Sequence, residues 1–150
     1  MKRVYGSAAV LLIVMMLLCS CGRKRQVIST EKAPAAIGPY SQAIVCGDMV
    51  YCSGQIAIDP ETNEFIGGDI TQQTTRVFEN IKALLEASGS SLSGVVRCDV
   101  FLADINDFAT MNEIYASYFE GCEYPARSAV EVANLPKGAL IEIEVTAEKQ

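Results

Sequence analysis

The sequence predicts an α+β domain: one mixed sheet with two helices packed on one of its faces, in the order β-β-α-β-α-β-β. Three observations carry this. Short segments with apolar residues at every second position, the period of a half-buried strand, occur at both ends of the domain and once in the middle. Two longer segments place apolar residues at steps of three and four, the period of an amphipathic helix. A single strand separates the helices, which suits both helices on one side of a sheet with some strand pairs parallel. The chain has 150 residues, half of them apolar, enough for one domain with a real core.

The N-terminus is set apart from that domain. "MKRVYGSAAVLLIVMMLLCSCG" opens with Lys2 and Arg3, and an apolar run from Ala8 to Leu18 follows. That run is shorter than the ~20 residues of a membrane span and has the form of a secretory signal. Leu18 lies three residues before Cys21, with Ser20 between, as in a bacterial lipoprotein signal; Cys19 has Leu18 before it and fits less well. The expectation is a signal over residues 1–20, a lipidated Cys21 with a tether over 21–32, and a domain over 33–150. The protein would be exported and anchored in a bacterial membrane. Gly22 after the cysteine favours the outer membrane. Removing Lys2 and Arg3 takes the formal charge from −6 to −8, and Arg23, Lys24 and Arg25 lie beside the anchor, so the domain itself is acidic. An acidic body repels a phosphate backbone, which excludes nucleic acid as the expected partner.

Along the chain, residues 22–35 are polar and basic without a period and are expected to be tether. "AIGPYSQAIVCGDMVYCSGQIAI" has two apolar runs around Gly47-Asp48, a hairpin pattern. "DPETNEFIGGD" is dense in turn formers. Asp69 is placed to cap a helix, with Gln72 at the capping-box position. That helix carries Ile70, Val77, Phe78, Ile81, Leu84, Leu85 and Ser88, and Gly89 stops it. In "GVVRCDVFLAD" the alternation puts Val96, Cys98, Val100 and Leu102 on one face and Val95, Arg97, Asp99 and Phe101 on the other. "NDFATMNEIYASYFEG" is the second helix, with an aromatic stripe expected in the core. Two strands joined by Asn134 to Gly138 close the domain. In the first, Ser128, Val130 and Val132 oppose Arg127, Ala129 and Glu131. In the second, Ile141, Ile143 and Val145 face the helices. Glu142 and Glu144 are then expected to join Arg127, Arg97 and Asp99 on the helix-free face. A mixed polar and apolar face of that kind suits contact with further subunits.

Six cysteines are present. Cys46, Cys52, Cys98 and Cys122 fall within the domain, without C-x-x-C spacing. They can pair in three ways or remain thiols; buried thiols acting as small apolar side chains are the favoured expectation. Histidine is absent, which excludes Ser-His and Cys-His nucleophile pairs and His-ligated metal within one chain.

Several strings resemble, in order, the RidA (YjgF-type) enamine/imine deaminase family: "APAAIGPYSQAI", "SGQI", "ADINDFATMNEIYASYF" and "YPARSAVEVANLPKGALIEIEVTA". The resemblance runs from about Lys32 to Glu148. It implies a chorismate-mutase-like α+β fold, a homotrimer with clefts between subunits, and hydrolysis of 2-enamines and 2-imines such as 2-aminoacrylate to 2-keto acids and ammonia, with no cofactor or metal. It implies catalytic roles for Arg127, whose planar fork matches a substrate carboxylate, and for Glu142, which would activate water and deliver a proton. Tyr40, Ser53, Asn112 and Ala129 match further pocket positions. Many relatives carry cysteine where Ala129 stands, so thiol chemistry cannot operate there. Retention of Arg127 with Glu142 favours the enzyme. A trimeric binding module for small carboxylates, without catalysis, is the alternative.

Overall fold

The computed structural model of the chain describes residues 25–150. The expected signal peptide and lipidated Cys21 lie outside the described residues. Among the described residues the strands form one six-stranded sheet. They are β1 (Arg25–Ile28), β2 (Ala43–Cys46), β3 (Met49–Gln55), β4 (Val95–Leu102), β5 (Ala126–Glu131) and β6 (Ile141–Glu148), and their spatial order is β1-β2-β3-β6-β4-β5. Helix α1 (Ile70–Ala87) and helix α2 (Phe108–Tyr118) pack on each other, and α1 lies against β3 and β6.

The hairpin β2–β3 turns at Gly47, whose φ of 64° is left-handed and suits glycine. Asp69 caps α1. Its carboxylate accepts from the Gln72 backbone N–H at 2.9 Å, and the Gln72 side chain accepts from the Asp69 N–H at 3.0 Å, which completes the capping box. Every residue of the predicted α1 stripe is buried. The same stripe also buries Gln73 and Asn80, which hydrophobic periodicity does not mark. The Asn80 side chain donates to the Ile58 carbonyl at 2.9 Å, and the Gln73 side-chain oxygen Oε1 accepts from the Leu140 N–H at 2.9 Å. Each therefore ties a loop to the helix. At the centre of the core Phe78 stacks on Tyr118, with ring centroids 4.6 Å apart, and meets Tyr115 and Phe119 edge-on.

Four expectations are corrected. The tether expected over 22–35 is in part sheet: Arg25–Ile28 pairs antiparallel with Ala43–Cys46 and adds an edge strand to the predicted order, so the domain begins before residue 33. The closing strands are not neighbours, because β4 lies between them, parallel to β5 and antiparallel to β6. A register shift between Val95 and Arg97 turns Val95 into the core and leaves Val96 exposed, the reverse of strict alternation. Finally, Arg127 pairs with Cys98 and Ala129 with Val100, residues wholly buried on the helix side. Arg127 and Ala129 therefore face the helices, and Ser128 and Val130 face away, since paired residues share a face.

The four domain cysteines are free thiols. Burial pushes Cys52 and Cys98 up to about 12, so neither supplies a thiolate near neutral pH. Replacing Asp69 with alanine leaves an N-terminal amide of α1 without its acceptor. The expected loss is about 1 kcal/mol of unfolding free energy, read as a lower urea midpoint at unchanged slope.

Candidate functional site

Arg127 stands near the start of β5, just past Pro125, and leaves the sheet toward α2. Its Nη2 donates to the Asn112 Oδ1 at 2.8 Å. Its Cζ lies 4.4 Å from the centre of the Tyr115 ring and 5.6 Å from that of Phe108. Phe108, Asn112 and Tyr115 are spaced i, i+4, i+7, so one stripe of α2 supplies all three contacts. Among the described residues no carboxylate pairs with Arg127. Neutral groups thus hold the guanidinium, and its full charge stays available to an incoming anion. It opens on a cavity of about 450 Å³ lined also by Asn112, Tyr115, Tyr124 and Pro125. Ala129, one step along the same face, is half-buried against the core and lines no part of this cavity.

Glu142 belongs to the strict alternation of β6. Ile141 and Ile143 are wholly buried beneath the helices, which sends Glu142, paired with Phe101, to the opposite face. There it meets the irregular end of β3, where the register shifts between Cys52 and Gln55. Gly54 is at that shift, and a Cβ on it would collide with the Glu142 carboxylate. Glycine at 54 is therefore a condition for the carboxylate's position. Tyr40 and Ser53 share this second cavity, of about 290 Å³, with Glu142 and with the apolar Ile37 and Ile56. The Ser53 hydroxyl donates to the Ser41 carbonyl at 2.7 Å, and the Tyr40 hydroxyl accepts from the Ile37 N–H at 3.2 Å. Gln42 pins the wall of the cavity: its amide accepts from the Thr30 N–H at 2.7 Å and donates to the carbonyls of Ala33 at 3.1 Å and Pro34 at 2.7 Å.

Burial raises the Glu142 carboxyl above the ordinary glutamate range, and the Glu144 carboxylate adds to the rise. Among the described residues no cation pairs with Glu142; Arg97, a cation on β4, is engaged with Asp99 at 2.7 Å. One protomer thus carries two half-sites. A cation without an anion lies on the helix side, and a partly desolvated acid without a cation lies on the open side.

The chain's residues 30–149 match the family model described as Endoribonuclease L-PSP. The chain belongs to the RidA/YjgF/L-PSP family. Similar family members include a RutC family protein of Pyrococcus abyssi, 59% identical over 126 residues that cover 84% of this chain and 98% of the relative. A Homo sapiens protein named 2-iminobutanoate/2-iminopropanoate deaminase is 49% identical over 82% of this chain and 89% of its own length. The crystal structure of E. coli TdcF with bound serine superimposes with a TM-score of 0.80 at 44% identity, covering 83% of this chain and 99% of that one. The chorismate-mutase-like fold expected of the family is the fold observed.

Of the residues named from the sequence of this family member, Tyr40, Ser53 and Glu142 come together in one cavity, and Asn112 and Arg127 in the other. Arg127 and Glu142 were expected on one face of the sheet and lie on opposite faces. Gly54 and the aromatic contacts of Arg127 were not anticipated. The S-G-Q string held the only hint of the first, and the i, i+4, i+7 spacing on α2 held that of the second. Because the folded state binds its Glu142 proton more tightly than the unfolded chain, ionising Glu142 opposes folding. The contribution is most favourable below the ordinary glutamate value of 4.5 and is lost as pH rises through the raised folded value. Urea unfolding of the parent and of Glu142→Gln across this window should show the parent losing stability with rising pH and the variant following a flatter course.

Proposed function

We propose that the protein hydrolyses 2-imines, and the 2-enamines that tautomerise to them, to 2-keto acids and ammonia. The observation that carries the reading is the pairing of two incomplete half-sites: an arginine charge held only by neutral groups, and a carboxyl raised by burial. A small substrate with a carboxylate next to a C=N bond uses both. Arg127 takes the substrate carboxylate with two parallel hydrogen bonds. Glu142 orders a water against the imine carbon and takes its proton as the C–O bond forms. It returns that proton to nitrogen to give the carbinolamine, then carries the carbinolamine O–H proton to the same nitrogen, so that the C–N bond breaks as C=O forms and ammonia leaves. The substrate carboxylate raises Glu142 further, which keeps it competent as a proton donor. The deaminase name of the human relative, at 49% identity, supports the same chemistry.

Opposite faces of one sheet cannot serve one small molecule, so the reading requires that Arg127 of one protomer meet Glu142 of the next. The open sheet face supports such contact. It presents Tyr51 at 49% and Val130 at 45% exposure between the charged residues. A contact joining two different surfaces closes as a ring when its rotation is a whole fraction of a turn, and the homotrimer implied by the family resemblance, closed in this way, gives three equal sites. The acidic sequence without histidine does not favour the RNA cleavage suggested by the family model's description. The N-terminal sequence supports a further part of the proposal, export with lipid attachment at Cys21. Cys21→Ala should then abolish labelling by a fatty-acid analogue in cells and release the protein from the membrane fraction.

Dehydratase-generated 2-aminoacrylate or 2-iminobutanoate, with semicarbazide as trap, tests the activity. The protein should lower trapped imine. Arg127→Ala should reduce kcat/KM by roughly 100-fold, and Glu142→Gln should lower kcat by about 100-fold or more with little change in KM. A pure binding module would leave trapped imine unchanged at low protein concentration. Refolding Arg127→Ala and Glu142→Gln chains together tests the shared site. Random trimers should regain about a quarter of parental activity, because that share of boundaries joins an intact arginine to an intact glutamate. Sites complete within one protomer would give no recovery.

A further inference from the structure

We infer that Tyr115 is a positioning residue whose ring face sets the plane of the Arg127 guanidinium, so that the fork is aimed before the substrate carboxylate arrives. The inference rests on the carboxylate reading of Arg127 and goes beyond it in naming what holds the fork.

Tyr115 is 3% exposed, and its ring is clamped from the core side by Phe78, edge-on at 5.6 Å, and by Phe119 at 4.8 Å. Its remaining face lies under the Arg127 Cζ at 4.4 Å. Its hydroxyl is buried on the core side, beside the Cys98 thiol and without a hydrogen-bond partner of good geometry, so the oxygen donates nothing to the site. What the residue supplies is an immobile aromatic surface. The Asn112 hydrogen bond fixes one nitrogen of the guanidinium but leaves the plane free to rock about that contact. A ring face below the cation removes this freedom and, being neutral, does not compete with the substrate for charge. An aliphatic side chain of similar bulk would pack against Phe78 but would not attract the cation. Preorganisation of this kind appears in substrate affinity, because less orientational freedom is lost on binding.

The test uses the full chain and 2-oxobutanoate as probe, followed by calorimetry, together with kcat and KM in the imine assay. Tyr115→Leu should weaken probe binding about five- to tenfold and raise KM more than it lowers kcat. The conservative Tyr115→Phe, which keeps the ring, should recover most of that loss. Tyr115→Leu chains that melt as the parent does and bind the probe equally well would overturn the inference. If leucine unfolds the domain, phenylalanines of increasing fluorine content at 115 decide the matter, since they keep the shape and drain the ring face. Affinity should fall stepwise with fluorination, and a flat series would overturn the proposal. Arg127→Ala separates the two layers. Unchanged probe binding in that variant would sink the carboxylate reading itself, and the inference with it. Lost binding there alongside unchanged binding in Tyr115→Leu would sink the inference alone.

Discussion

Side chains on a strand alternate between faces, and β4 transmits that alternation to the strands on both of its sides. Cys98 pairs with Arg127 on β5 and with Val145 on β6. Phe101 pairs with Glu142 and with Val130. With Cys98 and Val145 committed to the core, Arg127 has no choice but the helix side, and Glu142 none but the open side. A one-residue slip of either strand flanking β4 would put both groups on one face, and in β6 the same step would expose Ile141, Ile143 and Val145. The core thus enforces the separation of the two half-sites, and any joint action of the pair has to come from contact between protomers.

The two half-sites use opposite electrostatic strategies. The charge of Arg127 is left unpaired, because its contacts are neutral. Its partners, an amide oxygen and two aromatic faces, constrain position without cancelling charge. Glu142 has a weakened hold on its own charge, because it is partly buried, faces Glu144 and has no cation at hand. In the proposed reaction the first receives an anion and the second exchanges a proton. The first half-site depends on packing in α2 and the second on a backbone irregularity in β3. Gly54 makes room for the carboxylate, and Gln42 holds the loop that walls the cavity. Both supporting residues look structural when viewed alone.

Much of the architecture was legible in the sequence. Asp69 and Gln72 announced the start of α1, Gly47 the hairpin turn, and the I-E-I-E-V alternation the faces of β6, because each of these is a local rule that neighbouring residues satisfy on their own. The motifs named the polar residues, Tyr40, Ser53, Asn112, Arg127 and Glu142, but as one pocket; their division, with Tyr40, Ser53 and Glu142 in one cavity and Asn112 and Arg127 in another, was not legible. Less legible were β1, whose short polar segment acquires a strand's character only by pairing with β2, and the buried Gln73 and Asn80, whose partners are loop carbonyls distant in sequence.

The sequence by itself determined the two helices, the strands other than β1, and which chemical groups are available, since propensity, capping and period act over a few residues. Only the tertiary structure decided which strand separates β5 from β6, on which side of the sheet Arg127 emerges, and that a glycine yields space to Glu142. Those outcomes depend on pairing between residues far apart in the chain. A change of neighbour or a register shift reverses a face without altering any local pattern.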